Sequence, residues 1–138
     1  MMTVELVNKI IASRISSNFN AMFKTLQAVA VAGDCLTCRF QVTDPLLNHN
    51  GVLHGGYVAT ATDFVSSVDL ERLGYHRHAS VHLAVEFMRP SSPNSTIKVE
   101  SYIMHKGKSL AFCRVLFTNE DTGKLIACGS HTKFLFDS

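Results

Sequence analysis

The 138-residue chain has no tryptophan, three prolines, four cysteines, no marked excess of either charge and no long hydrophobic run. Each scarcity excludes a class. An apolar stretch of roughly 18 residues is needed to span a bilayer, and none approaches that length, so membrane insertion is not expected. The low proline content and ordinary apolar fraction exclude collagen-like and disordered chains. A formal net charge of +2, with lysines and arginines scattered rather than striped, points away from nucleic acid. The first residues lack a signal-peptide core and cleavage site, so a cytoplasmic location is expected. A mitochondrial location is the alternative, because Val4 to Ile15 is amphipathic and carries Lys9 and Arg14. Of the cysteines, only Cys35 and Cys38 form a C-x-x-C pair. Cys113 and Cys128 do not complete a zinc site, and in an extended run the two paired thiols point to opposite faces. Buried free thiols and no metal are the expectation.

What is present is enough for one domain over residues 1–138, a length that buries about two thirds of the surface of its unfolded chain. Val4, Val7, Ile10, Ile11 and Ile15 recur at helical spacing and predict a short N-terminal helix. Phe23 to Val31 and Cys35 to Val42, joined at Gly33-Asp34, read as a hairpin. A loop runs from Thr43 to Gly51. From Gly55 to about Leu70 the chain is rich in alanine and free of proline, with Ala61, Phe64, Val65 and Val68 on one face. So apolar a helix must be covered on most sides. Val81 to Phe87, Ile97 to His105, Leu110 to Thr118 and Leu125 to Phe136 then read as four strands. The short turns between them predict antiparallel pairing of consecutive strands. The class is α+β: an antiparallel sheet curled around one long helix.

The stretch from Asn48 to Gly56 carries the chemistry. Two glycines at the start of a helix leave backbone N–H groups bare where the helix dipole is positive, which suits a carbonyl oxygen or an anion. Asp63, a carboxylate in an apolar segment, needs a partner or a task. Desolvation makes such a carboxylate a better general base, and it could equally act as a nucleophile. Gly55 lets a substrate approach the backbone and offers its N–H to an oxyanion. The two lie eight positions apart, about 12 Å along one helix at 1.5 Å per residue, so one reacting carbon cannot touch both. A shared site would take one residue from each of two chains, related by a two-fold axis. His76, His78, His82 and Glu86 suggest a metal, but on a strand His82 and Glu86 are about 13 Å apart, which argues against one.

These residues resemble the hotdog-fold acyl-CoA thioesterases, in particular the phenylacetate-pathway and thioesterase-superfamily-member-2 type. The resemblance runs from about Asn18 to Phe136 and rests on Asn48, His54-Gly55-Gly56 and Asp63, supported by Ser80-Val81, Phe87-Met88-Arg89-Pro90, Gly107 to Phe112 and Thr122 to Ala127. It implies a hotdog fold, a homodimer assembling into a homotetramer, an acyl-CoA substrate and no cofactor. It assigns Asp63 as the catalytic carboxylate, Gly55 as the oxyanion donor, and Asn48, His54 and Ser80 as supporting groups. Gly56, Tyr57, Phe64 and Leu83 are then candidates for contact with the acyl group, and Val65 with them. Arg89, Lys108, Ser109 and His131, with Lys106 and Lys133, are candidates for the CoA side, where phosphates need cationic groups. A hydratase or dehydratase on the same fold and a non-catalytic acyl-ligand binding module are the alternatives. The first would need a differently placed acid and base, and the second gives no reason to keep Asp63.

Overall fold

A computed structural model describes residues 2–136. Helix α1 (Val4–Ser13) is capped by the Thr3 hydroxyl and lays Val7 and Ile11 into the core, so the apolar periodicity of this segment is used inside the fold. A 3-10 turn (Phe19–Phe23) follows. Strands β1 (Gln27–Ala32) and β2 (Cys35–Gln41) come next, joined at Gly33, whose φ of +58° suits a residue without Cβ. A short 3-10 turn (Asp44–Leu46) precedes helix α2 (Gly55–Arg72). Four strands complete the chain: β3 (His78–Phe87), β4 (Thr96–Lys106), β5 (Leu110–Asn119) and β6 (Lys124–Leu135).

The sheet order is β1-β2-β4-β5-β6-β3, with every neighbouring pair antiparallel. Helix α2 lies against the concave face, and its Ala61, Val65 and Val68 are buried in one core with Val99, Val115, Phe117 and Ile126. This is the hotdog arrangement. Two sequence expectations need correction. The first strand does not begin at Phe23. That residue closes a 3-10 turn, where its ring stacks on Phe64 at 4.5 Å and anchors the turn to α2. The second concerns β3 and β4, which are consecutive but not neighbours. β3 pairs with β6, and the segment after Phe87 crosses the sheet so that β4 pairs with β2. A short connection fixes strand direction, not adjacency.

The polar groups of α2 find partners nearby. The hydroxyls of Thr62 and Ser66 donate to the carbonyls of Val58 and Thr62, while Asp69 receives Arg72 at 2.7 Å and the Ser101 hydroxyl at 2.8 Å. Burial pushes the Asp69 carboxyl up to about 6, against the opposing pull of Arg72. The two sheet edges differ. At β1, the Asn8 side chain on α1 both donates to the Ala28 carbonyl and accepts from its N–H, so a helix covers that edge. Strand β3, at the other edge, leaves Val81, Leu83 and Phe87 exposed. All four cysteines are free, with Cys38, Cys113 and Cys128 buried and Cys35 half-buried.

Candidate active site

Helix α2 starts at His54, whose Nδ1 accepts the Gly56 N–H at 2.7 Å and so acts as the cap. A neutral imidazole accepting at Nδ1 carries its proton on Nε2. The residue is exposed, and its Nε2 has no acceptor among the described residues. The Gly55 N–H, one position earlier, has no acceptor among the described residues. A Cβ on Gly55 would lie 3.2 Å from the Phe87 ring, so the glycine keeps this backbone accessible beside an aromatic wall. Asn48 organises the preceding turn through its Oδ1, which accepts the N–H groups of Asn50 at 2.9 Å and Val52 at 3.3 Å. Its amide NH₂ has no acceptor among the described residues. Gly55, Asn48 and Arg89 line one cleft of about 370 Å³, with Leu53, Phe87, Met88 and Pro90.

Asp63 lies two turns further along α2, in a different cleft of about 350 Å³. Phe19, Thr60, Phe64, Ser67, Ser80 and Lys133 also line it, so Asp63, Ser80 and Phe64 come together. The carboxyl is not enclosed in an apolar face, as its sequence neighbours suggest. Its side chain is 47% exposed, and its near neighbours are polar. Oδ1 accepts from the Ser67 hydroxyl at 3.2 Å and lies 3.6 Å from Lys133 Nζ and 3.8 Å from His131 Nε2.

His131 does not fit the mouth of a CoA site. It is 1% exposed, and its ring bridges two hydroxyls, Ser66 Oγ at Nδ1 and Ser80 Oγ at Nε2, each at 2.8 Å. Burial, assisted by the Lys133 charge, lowers its pKa to about 4, so the ring is neutral at pH 7. The Ser66 hydroxyl donates to the Thr62 carbonyl at 2.7 Å, which leaves its oxygen to accept the Nδ1 proton. Nε2 is then an acceptor, and the Ser80 hydroxyl donates to it. The Ser80 oxygen keeps lone pairs for a donor such as water.

The other candidates divide. Tyr57 is 4% exposed, packed between the rings of Phe23 and Phe40, and its hydroxyl has no partner among the described residues. With His54, Gly56, Met22, Pro45 and Leu47 it lines a more apolar cleft that adjoins the Asp63 cleft at Phe19 and Thr60. Leu83 is exposed on β3, opposite His131 in the register. Arg89 and Lys108 are not brought together. The Arg89 N–H bonds to Ile126 near the start of β6, whereas Ser109, next to Lys108, accepts from Leu135 at its end. Nine strand residues separate these points by about 30 Å at 3.3 Å per residue. Ser66 and Ser67, three and four positions beyond Asp63, lie beside it on the helix, a spacing visible in the sequence. Glu71 and Arg14 also line the Asp63 cleft.

A sheet wrapped on one long helix, with a carboxylate midway along that helix and a bare glycine N–H at its start, defines a hotdog-fold protein. A family model described as Thioesterase superfamily matches residues 50–126, and the chain belongs to that superfamily. It is 36% identical over 137 residues to acyl-coenzyme A thioesterase 13 of Homo sapiens, covering 97% of this chain and 96% of the human one. Among solved structures, zebrafish thioesterase superfamily member 2 superposes with a TM-score of 0.91 at 29% identity, covering 98% of this chain and 99% of that one. Thioesterase superfamily member 2 from Mus musculus gives 0.89 at 32% identity, with 98% and 99% covered. Among the described residues no helix is long and apolar enough to cross a membrane.

Proposed function

We propose that this protein hydrolyses acyl-CoA thioesters, in a site completed by two copies of the chain. One observation carries the reading: the bare Gly55 N–H and the Asp63 carboxylate lie in separate clefts that share no lining residue. Each cleft is half of a hydrolytic site. Antiparallel packing of two α2 helices about a two-fold axis brings the halves together twice. Strand β3 supports this, because an uncovered sheet edge with exposed Val81 and Leu83 is a template for pairing with its own copy. The relatives named acyl-coenzyme A thioesterase support the substrate class.

The chemistry needs little machinery, since a thiolate leaves readily. The Gly55 N–H and the Asn48 amide of one copy receive the thioester oxygen as it gains charge, reinforced by the α2 dipole. Asp63 of the other copy takes a proton from water, and the water oxygen bonds to the carbonyl carbon. Ser80, whose hydroxyl proton is committed to His131, offers its oxygen to orient that water. The Nε2 proton of His54 is available to the departing sulfur. In the nucleophilic variant, Asp63 itself bonds to the carbon and water opens the resulting anhydride. After a single turnover in ¹⁸O-labelled water, label in the Asp63 carboxyl identifies the second route with water adding at the aspartyl carbon of the anhydride. The apolar cleft at Tyr57 and the aromatic floor at Phe64 are the proposed acyl contacts, and Arg89, beside Gly55, the proposed cation for the CoA phosphates. Lys108 and Ser109 belong to that side only if a further copy carries them there.

Thiol release from short, medium, long and aromatic acyl-CoAs tests the activity. Wild type turns over at least one class, and Asp63→Asn loses about 10²-fold or more in kcat/KM while remaining a folded oligomer. Ligand binding without turnover in both proteins would replace the enzyme by a binding module. Sharing of the site has its own test. Asn48→Ala and Asp63→Asn are each nearly inactive, but a mixed dimer of the two contains one intact site. Random reassociation restores about a quarter of wild-type activity. No recovery in mixtures shown to exchange subunits would place both halves in one chain.

A further inference from the structure

Lys133 on β6 has no task in the scheme above, yet its ammonium is placed with care. The residue is 4% exposed, and a buried cation is costly unless it is paired. Its Nζ lies 3.0 Å from His78 Nδ1 and 3.6 Å from Asp63 Oδ1. An ammonium only donates, so His78 Nδ1 accepts and the histidine proton sits on Nε2, 3.7 Å from Glu71 Oε1. Glu71 is itself buried, and its charge is met by the Arg14 guanidinium at 2.5 Å. Asp63, Lys133 and His78 therefore form one contact line, with the Glu71 and Arg14 pair beside it; the His78 Nε2 is buried and has no hydrogen-bond partner among the described residues. The group is assembled from α2, β6, β3 and the residue that ends α1.

Two further titratable groups face Lys133, and both are neutral at pH 7. The Cys113 thiol on β5 is pushed up to about 12 by burial, and the His131 ring on β6 is lowered to about 4. Asp63 and Glu71 are thus the anions that balance Lys133. Burial lowers the Lys133 pKa, and the Asp63 charge opposes that shift. The carboxyl of Asp63 is engaged on one side. The Ser67 hydroxyl and the Lys133 ammonium engage Oδ1, the unprotonated His131 Nε2 lies 3.8 Å from it, and Oδ2 has no partner among the described residues.

We propose that Lys133 is a positioning residue for Asp63: anchored by His78, its ammonium clamps Oδ1, leaving Oδ2 free to face the attacking water. The inference rests on the base role proposed for Asp63. In the step it supports, a water O–H bond breaks, the proton passes to Oδ2, and the water oxygen bonds to the carbonyl carbon. Lys133 transfers no proton.

The test uses Lys133→Met and Lys133→Gln, with His78→Leu as a milder variant that removes the anchor instead of the cation. Each is compared with wild type and Asp63→Asn after confirming fold and oligomeric state. The expected result is a fall of about 10-fold to 100-fold in kcat, with KM within about 2-fold, because the clamp acts on the base and not on substrate binding. Losing a cation beside a carboxylate favours its protonated form, so the acidic limb of the kcat/KM profile moves upward. His78→Leu moves it the same way by less. The Asp63 carboxyl titration, followed by NMR in protein with ¹³C-labelled aspartate, moves upward in parallel and is read without any turnover. Wild-type kcat and acidic limb in a folded Lys133 variant, alongside an inactive Asp63→Asn, would overturn this inference alone. Absence of thioester turnover in wild type would overturn the proposed activity instead. The NMR titration then decides, and an unmoved Asp63 signal in the folded variants rejects the clamp.

Discussion

His131 illustrates how one buried side chain carries both architecture and chemistry. Its two ring nitrogens tie Ser66 on α2 to Ser80 on β3, so the strand that bears Ser80 is fixed to the helix that bears Asp63. At pH 7 the ring is neutral, so one nitrogen donates and the other accepts. Its folded pKa of about 4 lies below the ordinary value of 6.5. Between those values the unfolded chain binds more protons than the folded one, so stability from this group is complete above pH 6.5 and is lost as pH falls toward 4. Asp69 acts with the opposite sign over much of that window, because its pKa is raised to about 6 and its ionised form is the disfavoured one. The clean observable is therefore a difference between proteins. The gap in unfolding free energy between wild type and His131→Gln, which cannot take up the proton, is expected to widen by on the order of 1–3 kcal/mol from pH 4 to pH 7. A constant gap would mean that the bridge survives protonation.

At the scale of elements, α2 approaches the sheet so closely that one β6 position has no room for a side chain. A Cβ on Gly129 would lie 2.4 Å from both the Cγ2 and the Oγ1 of Thr62, and Thr62 is fully buried with its hydroxyl donating to Val58. Thr62 cannot rotate away without stranding that hydroxyl, so helix and strand must part. Gly129→Ala is expected to cost about 1–3 kcal/mol in chemical denaturation, and to lower activity as Asp63, one residue along, moves from Ser80. Thr62→Ser, which removes one of the two crowding atoms, restores part of both. This contact shows why some of the molecule was legible in the sequence and some was not. Helix α2 could be read from the one-face spacing of Ala61, Phe64, Val65 and Val68 and its lack of proline, and the strands from their apolar patterns, because those signals are local. The pairing of β3 with β6 was not readable, since a short β3 to β4 connection looks the same whether or not the two strands touch. The site divided in the same way. Gly55, Asp63 and Asn48 sit within 16 positions of one another and form a motif. The groups that surround the carboxylate come from α2, β3, β6 and the end of α1, and no spacing rule links Arg14 to Lys133. His131, weighed as a surface cation, became a buried bridge because only the register shows that it lies opposite Leu83, under the helix.

The whole molecule is asymmetric in how it closes its sheet, and that asymmetry bears on assembly. Helix α1 covers the β1 edge through Asn8, whereas the β3 edge presents Val81 at 60% and Leu83 at 42% exposure. An uncovered edge with apolar side chains is a liability in a lone chain and a docking strand in a dimer. Because Ser80 and His78 lie on β3, and the helix that bears Asp63 is tied to β3 through Ser66 and His131, pairing two β3 strands would also set the distance between one copy's Asp63 and the other copy's Gly55. Assembly and activity should then fail together. Val81→Lys with Leu83→Lys places four like charges at the centre of a paired edge, each set directly opposite its copy or nearly so, while leaving the β6 side of the strand and both clefts unaltered. The expected outcome is a monomer by sedimentation, with its melting transition retained and its kcat/KM reduced by at least 10²-fold. Specific activity of the wild type should likewise fall on dilution through the concentration at which sedimentation shows dissociation. A folded monomer with full activity would separate the two properties, leaving the β3 edge to assembly and the chemistry to a single chain.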